Sequence, residues 1–139
     1  MEETNFFHNF LLLYRPLNNV LNKKLEEYNL FTSQWSILFY INKYENITLV
    51  EIAKHLYVER PTITRAVLKL EELDYIEQIH GNNRREKRIQ LTPLGQNVFN
   101  DIRNSLDSYQ RHVLSGISDE EMKKMIQLME TIRNNIVEE

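Results

Sequence analysis

Between positions 48 and 75 the chain reads TLVEIAKHLYVERPTITRAVLKLEELDY, two short stretches of helical periodicity separated by about three residues. Thr48 and Glu51 have the T-x-x-E spacing in which hydroxyl and carboxylate satisfy each other's orphan backbone donors, so a helix is predicted from Leu49 to about Leu56. After Tyr57, Val58 and Glu59 the pattern resumes with Pro61 in a first helical turn, where a missing N–H costs little. Ile63, Val67, Leu70 and Leu73 then line one face of a second helix. With small Ala53 where the two helices would cross and Ile52, Leu56 and Val58 beside it, this is the pattern of a helix-turn-helix.

The outward side chains of the second helix bear on function. Arg60, Thr62, Thr64 and Arg65 sit near its N-terminus, the part of such a unit that reaches base edges in a major groove. Arginine can bond guanine bidentately, and threonine can bond a base or touch a thymine methyl. The same residues also suit a plain solvated helix face with a capping threonine. The next segment of the chain favours DNA. Beyond Asp74 the periodicity becomes alternating, with Ile76 and Ile79 before His80-Gly81-Asn82-Asn83 and Ile89 and Leu91 after, the pattern of a β-hairpin. Its charged tip carries Arg84, Arg85, Lys87 and Arg88, suited to minor-groove and phosphate contact. Together with Lys69, these would mainly neutralise the DNA backbone. The formal net charge of -3 argues mildly against a nucleic-acid partner, but distribution matters more than the total, and Arg84, Arg85, Lys87 and Arg88 make this the densest basic stretch of the chain.

Longer helical patterns flank this region. Phe6, Phe10, Leu13, Leu17, Val20, Leu21, Leu25 and Tyr28 recur every three or four positions, with Pro16 predicted to kink or divide the helix. A helix from about Ser33 to Tyr44, capped by Thr32 or Ser33, should turn Trp35, Leu38, Phe39 and Ile41 inward. Thr92-Pro93 opens a long helix through Leu94, Val98, Ile102, Leu106, Tyr109 and Val113. Ser118 and Glu121 repeat the capping-box spacing, and Met122, Met125, Met129, Ile132 and Ile136 form a narrow apolar seam after them. Such a seam suits a coiled-coil contact or a helix packed on its own domain. The terminal helices offer more apolar face than the small central unit can cover, which predicts a dimer interface.

In order and spacing, nearly the whole chain resembles the MarR (multiple antibiotic resistance) family of winged helix-turn-helix regulators. EIAKHLYVERPTITRAVLKLEELDYI is similar to that family's DNA-reading unit, NNRREKRIQLTPLG to its wing signature ending in Leu-Thr-x-x-Gly, and YNLFTSQWSIL to the entry to its second helix. The resemblance implies a mainly α fold: a winged helix-turn-helix with a two-stranded β-hairpin wing and a helical dimerisation region. Residues 1–139 would form one domain, with 1–30 and 93–139 dimerising and 31–92 forming the DNA-binding lobe. It implies a homodimer on a pseudo-palindromic double-stranded operator, a recognition helix with Arg60, Pro61, Thr62, Thr64, Arg65 and Lys69, and a wing with Asn83, Arg84, Arg85, Lys87 and Arg88. A regulator of this type is expected to be a repressor released by a small aromatic effector, with Tyr14, Trp35, Phe39 and Tyr40 as candidate pocket residues; the same four also suit ordinary core and interface positions. Three positions depart from the pattern. Asn83 stands where the wing usually has aspartate, and Tyr57 and Asp74 stand where glycine is common, so both face unusual backbone angles.

Other chemistry has little to work with. Three glycines leave little for a phosphate-cradling loop, and no nucleophile-elbow or dinucleotide pattern occurs, so neither an enzyme nor a cofactor is expected. His8, His55, His80 and His112 lack a metal-binding spacing, and cysteine is absent, consistent with a reducing compartment. No apolar run reaches the roughly 18 residues of a membrane span, and a cytoplasmic protein is expected. The competing reading is a winged-helix protein-interaction module without sequence-specific DNA binding.

Overall fold

The computed structural model describes residues 2–80 and 87–138. In chain order the elements are α1 (Glu2–Leu25), a short 3-10 turn (Glu26–Tyr28), α2 (Thr32–Lys43), β1 (Ile47–Thr48), α3 (Leu49–Leu56), α4 (Arg60–Glu72), β2 (Ile76–His80), β3 (Lys87–Leu91), α5 (Pro93–Val113) and α6 (Asp119–Val137). They fall into two compact units, Met1–Asn104 and Ser105–Glu139.

In the first unit, Leu25, Leu30, Ile37, Leu38, Ile41, Ile52, Ile63, Val67, Leu70, Ile89 and Phe99 are buried. α1 spans Pro16 as one helix, so the expected division does not occur. Its residues 3–16 are all exposed. α2 starts one residue before the predicted position, and Phe31, not Thr32 or Ser33, occupies the cap. The backbone N–H of Phe31 donates to Gln34 Oε1 at 2.8 Å, while the Thr32 hydroxyl donates to Asn18 Oδ1 on α1 at 2.9 Å. Thr32 thus ties two helices together. Ile37 takes the buried place expected for Phe39, which is 44% exposed; Ile37, Leu38 and Ile41 set the inner stripe, and Phe39 lies about 100° round the helix from Leu38.

The expected hairpin is present, with Ile76 opposite Leu91 and His80 opposite Lys87. A third strand, β1, joins it antiparallel to β3, giving the order β1-β3-β2. Gly81, Asn82, Asn83, Arg84, Arg85 and Glu86, the expected hairpin tip, lie outside the described residues.

One backbone junction locks α4, the sheet and α5 together. The buried Thr92 hydroxyl donates to the Asp74 carbonyl at 2.6 Å and accepts from Gly95 N–H at 2.9 Å, while Thr92 N–H donates to the Tyr75 carbonyl at 3.1 Å. Gly95 sits so close that an added Cβ would lie 1.8 Å from the Tyr75 carbonyl oxygen. Close backbone approach therefore requires the glycine of the Leu-Thr-x-x-Gly run.

Tyr57 and Asp74 both adopt the left-handed backbone, at φ 55° and 62°. Tyr57 ends α3 there, with Val58 N–H donating to the Ala53 carbonyl, the bonding of a glycine-type helix terminus. A side chain in this conformation costs about 1 kcal/mol that glycine avoids. Asp74→Gly should accordingly raise unfolding stability by about 1 kcal/mol, read from the urea midpoint, since Asp74 joins the junction through its backbone carbonyl alone. A lower midpoint would show that the carboxylate supplies more than the strain removes.

In the second unit a turn at Gly116, φ 87°, leads into α6. Its capping box is complete: Glu121 N–H donates to the Ser118 hydroxyl at 3.1 Å, and Ser118 N–H donates to the Glu121 carboxylate at 3.0 Å. The Ser118 N–H, with the hydroxyl beside it, holds the Glu121 carboxyl below the usual carboxylate range. No residue of α6 is buried. No described helix is long and apolar enough to cross a membrane.

Candidate nucleic-acid interface

α3 and α4 are held at a fixed crossing by local chemistry. Thr48 caps α3, its hydroxyl accepting from Glu51 N–H at 3.2 Å and donating to the Glu51 carboxylate at 3.0 Å. Ile52 and Ala53 are buried on α3, and Ile63, Val67 and Leu70 on α4. This stripe leaves Arg60, Pro61, Thr62, Thr64, Arg65 and Lys69 together on the solvent side of α4, all exposed.

Two of them are steadied by their own helix. The Thr64 hydroxyl donates to the Arg60 carbonyl at 2.9 Å, which leaves its oxygen free to accept from a base or water. Arg65 Nε donates to the Pro61 carbonyl at 3.4 Å, leaving the terminal nitrogens of its guanidinium to make a bidentate contact. Arg60 and Thr64 also line a groove of about 230 Å³ with Thr48, Leu49, Val50 and Lys87, so the base of the hairpin reaches the same face as the helix. Sequence reasoning had no means of placing the start of α3 there. Arg88 lies elsewhere: its Nη1 donates to the Asn46 carbonyl at 2.6 Å. Asn83, Arg84 and Arg85 fall outside the described residues.

The four aromatic candidates separate. Trp35 stacks on buried Phe99 at 5.0 Å. Phe39 meets Tyr40 edge-on at 5.6 Å, and Tyr40 stacks on His55 at 4.8 Å. Tyr14 alone of the four lines the groove of about 320 Å³ between α1 and α2, with Leu17, Asn18, Leu21, Thr32, Ser33 and Ser36. Ser33 reads in the sequence only as a candidate helix cap, and Asn18 goes unnoticed because an isolated polar residue gives no periodic signal. His55 stacks on Tyr44 as well as Tyr40. Among the described residues no group of three or more His, Asp or Glu side chains is gathered to hold a metal ion.

A capped helix, a tight left-handed turn, a second helix with a basic outer face and an antiparallel sheet directly after it define a winged helix-turn-helix protein. The MarR family model matches residues 31–87. An uncharacterized HTH-type transcriptional regulator of Staphylococcus aureus is 30% identical over all of this chain and 97% of its own length. The solved Staphylococcus aureus MarR in complex with salicylate and kanamycin superposes with a TM-score of 0.86 at 30% identity, covering 100% of this chain and 95% of that one. The S. aureus MepR–DNA complex shares the fold, with a TM-score of 0.86 at 21% identity over 98% and 99% of the two chains. The chain belongs to the MarR family. Its members are transcriptional regulators, not enzymes.

Proposed function

We propose that the protein is a sequence-specific repressor that binds a pseudo-palindromic duplex as a homodimer and is released by a small aromatic effector. The outer face of α4 carries this reading: six side chains suited to DNA contact, none drawn into the core, with Lys87 beside Arg60 and Thr64. Two such helices, one per protomer, would enter successive major grooves about one helical turn apart. Arg60, Thr62, Thr64 and Arg65 would read bases, Lys69 and Lys87 would neutralise phosphates, and Asn83, Arg84 and Arg85 would extend the contact along the flanking groove.

The solved DNA complex of MepR, which has the same fold, supports DNA as the partner. The salicylate bound by the S. aureus MarR supports a small aromatic acid as effector. On this chain the groove between α1 and α2 suits one: Tyr14, Leu17 and Leu21 supply apolar contact, and Ser33 and the Asn18 amide supply donors for a carboxylate. An effector that favours one spacing of the two recognition helices would move them out of register with the DNA repeat. Exposed apolar side chains on α1, Phe6, Phe10 and Leu13 among them, and the uncovered seam of α6 support a dimer built from the terminal helices.

Selection of bound duplexes from a random pool tests the reading. A defined inverted repeat, bound with steep salt dependence, is expected; affinity for duplex no better than for any polyanion would favour the protein-interaction module. Arg65→Ala should then cost about 1–3 kcal/mol on the selected duplex, roughly 5- to 150-fold, and relax preference at one base position per half-site. An unchanged preference would remove Arg65 from base readout.

A further inference from the structure

Lys87 and Arg88 are adjacent in the basic run, yet a strand sends successive side chains to opposite faces. Lys87 shares its face with fully buried Ile89 and reaches the groove beside Arg60 and Thr64. Arg88 shares the other face with Gln90, whose amide donates to Glu77 on the paired position of β2 at 2.5 Å. From that side Arg88 Nη1 donates to the Asn46 carbonyl at 2.6 Å, a short charge-assisted bond to a residue 42 positions earlier. Asn46 is in the left-handed conformation at φ 56° and immediately precedes β1. β1 in turn pairs Thr48 with Arg88 and Ile47 with Ile89, and Thr48 caps α3. A strand of two residues contributes few ladder bonds of its own, so the guanidinium adds a polar fastening on one face of β3 to the packing of paired, buried Ile47 and Ile89 on the other.

We infer that Arg88 is a positioning residue: it clasps the base of the hairpin to the turn before α3, holds Lys87 against Arg60 and Thr64, and is not itself a phosphate contact. This differs from the sequence-based expectation of backbone neutralisation, and it rests on the reading that α4 and the hairpin base meet DNA. The two roles leave different signatures. A side chain that neutralises a phosphate releases a counterion and steepens the salt dependence, whereas one bonded to a protein carbonyl in free and bound states alike releases none.

The experiment compares Lys87→Gln and Arg88→Gln in the full chain, on a duplex enriched from a random pool by the unsubstituted protein. Lys87→Gln should lower the slope of log affinity against log salt by about 0.9 per site. Arg88→Gln should leave the slope unchanged while weakening binding about tenfold at every salt concentration. Without DNA, it should speed amide exchange at Ile47 and Thr48. A slope reduced by Arg88→Gln as much as by Lys87→Gln would make Arg88 a phosphate contact and overturn the clasp while leaving the DNA reading intact. So would a lowered unfolding midpoint with affinity unchanged, the mark of a structural role only. A slope unmoved by Lys87→Gln would overturn the reading of the hairpin base as a DNA contact.

Discussion

Gly95→Ala should destabilise the protein by about 3 kcal/mol or more, lowering its melting temperature by roughly 10 °C. The methyl group would be placed 1.8 Å from the Tyr75 carbonyl oxygen, less than any non-bonded contact allows, and the obstacle is backbone, not a side chain that could rotate away. Relief requires α5 to lift from the chain between α4 and β2. That movement pulls on the Thr92 bonds to the Asp74 and Tyr75 carbonyls and on the Tyr75 hydroxyl, which donates to the Tyr28 carbonyl at 2.8 Å. Differential scanning calorimetry with urea titration would measure the loss. A shift under about 1 kcal/mol would mean that the junction is far more compliant than close packing permits.

The second large effect concerns the terminal helices. The double substitution Met125→Lys with Met129→Lys should yield a monomer by analytical ultracentrifugation and weaken binding to the selected duplex by about 100- to 10,000-fold, the share that two linked half-site contacts contribute. Met125 and Met129 lie one turn apart on α6 and are 40% and 54% exposed, and Ile136 farther along the seam is 62% exposed. A charge on each would cost little in an isolated chain, because no α6 residue is buried there, but much at an apolar contact between copies. The circular dichroism of the variant should therefore stay helical. A variant that remains dimeric and binds DNA with unchanged affinity would rule out the α6 seam as the interface.

Much of the fold is legible because its signals are local. The Thr48 and Ser118 capping residues, the first-turn Pro61 and Pro93, and the three- and four-residue apolar spacing place α3, α4, α5 and α6 close to their observed ends. Local signals fail where a neighbour distant in sequence decides. Phe39 reads as an inward residue on hydrophobicity alone, but the phase of α2 is fixed by Ile37, Leu38 and Ile41, which pack into the core and leave Phe39 on the outer side. The Thr32 hydroxyl goes to Asn18 instead of capping its own helix. β1 is too short for any alternating pattern, and its existence depends on β3, some forty residues away.

The outer face of α4 shows the same division. That Arg60, Thr62, Thr64, Arg65 and Lys69 stand clear of the core is a consequence of helical period, because burying Ile63, Val67 and Leu70 leaves no other side for them. A run such as Glu86-Lys87-Arg88 offers only charge, and charge alone does not distinguish a side chain facing the groove from one bonded to a carbonyl. Strand pairing made that choice: with Ile89 committed to the interior, alternation sent Lys87 toward Arg60 and Arg88 toward Asn46. The amino-acid order by itself determined which helices form and that the basic side chains of α4 stay outside, since both depend on residues within a turn or two. The contacts among Gly95 and Tyr75, Arg88 and Asn46, and β1 and β3 were decided only by the tertiary structure, because they join positions that no local periodicity relates.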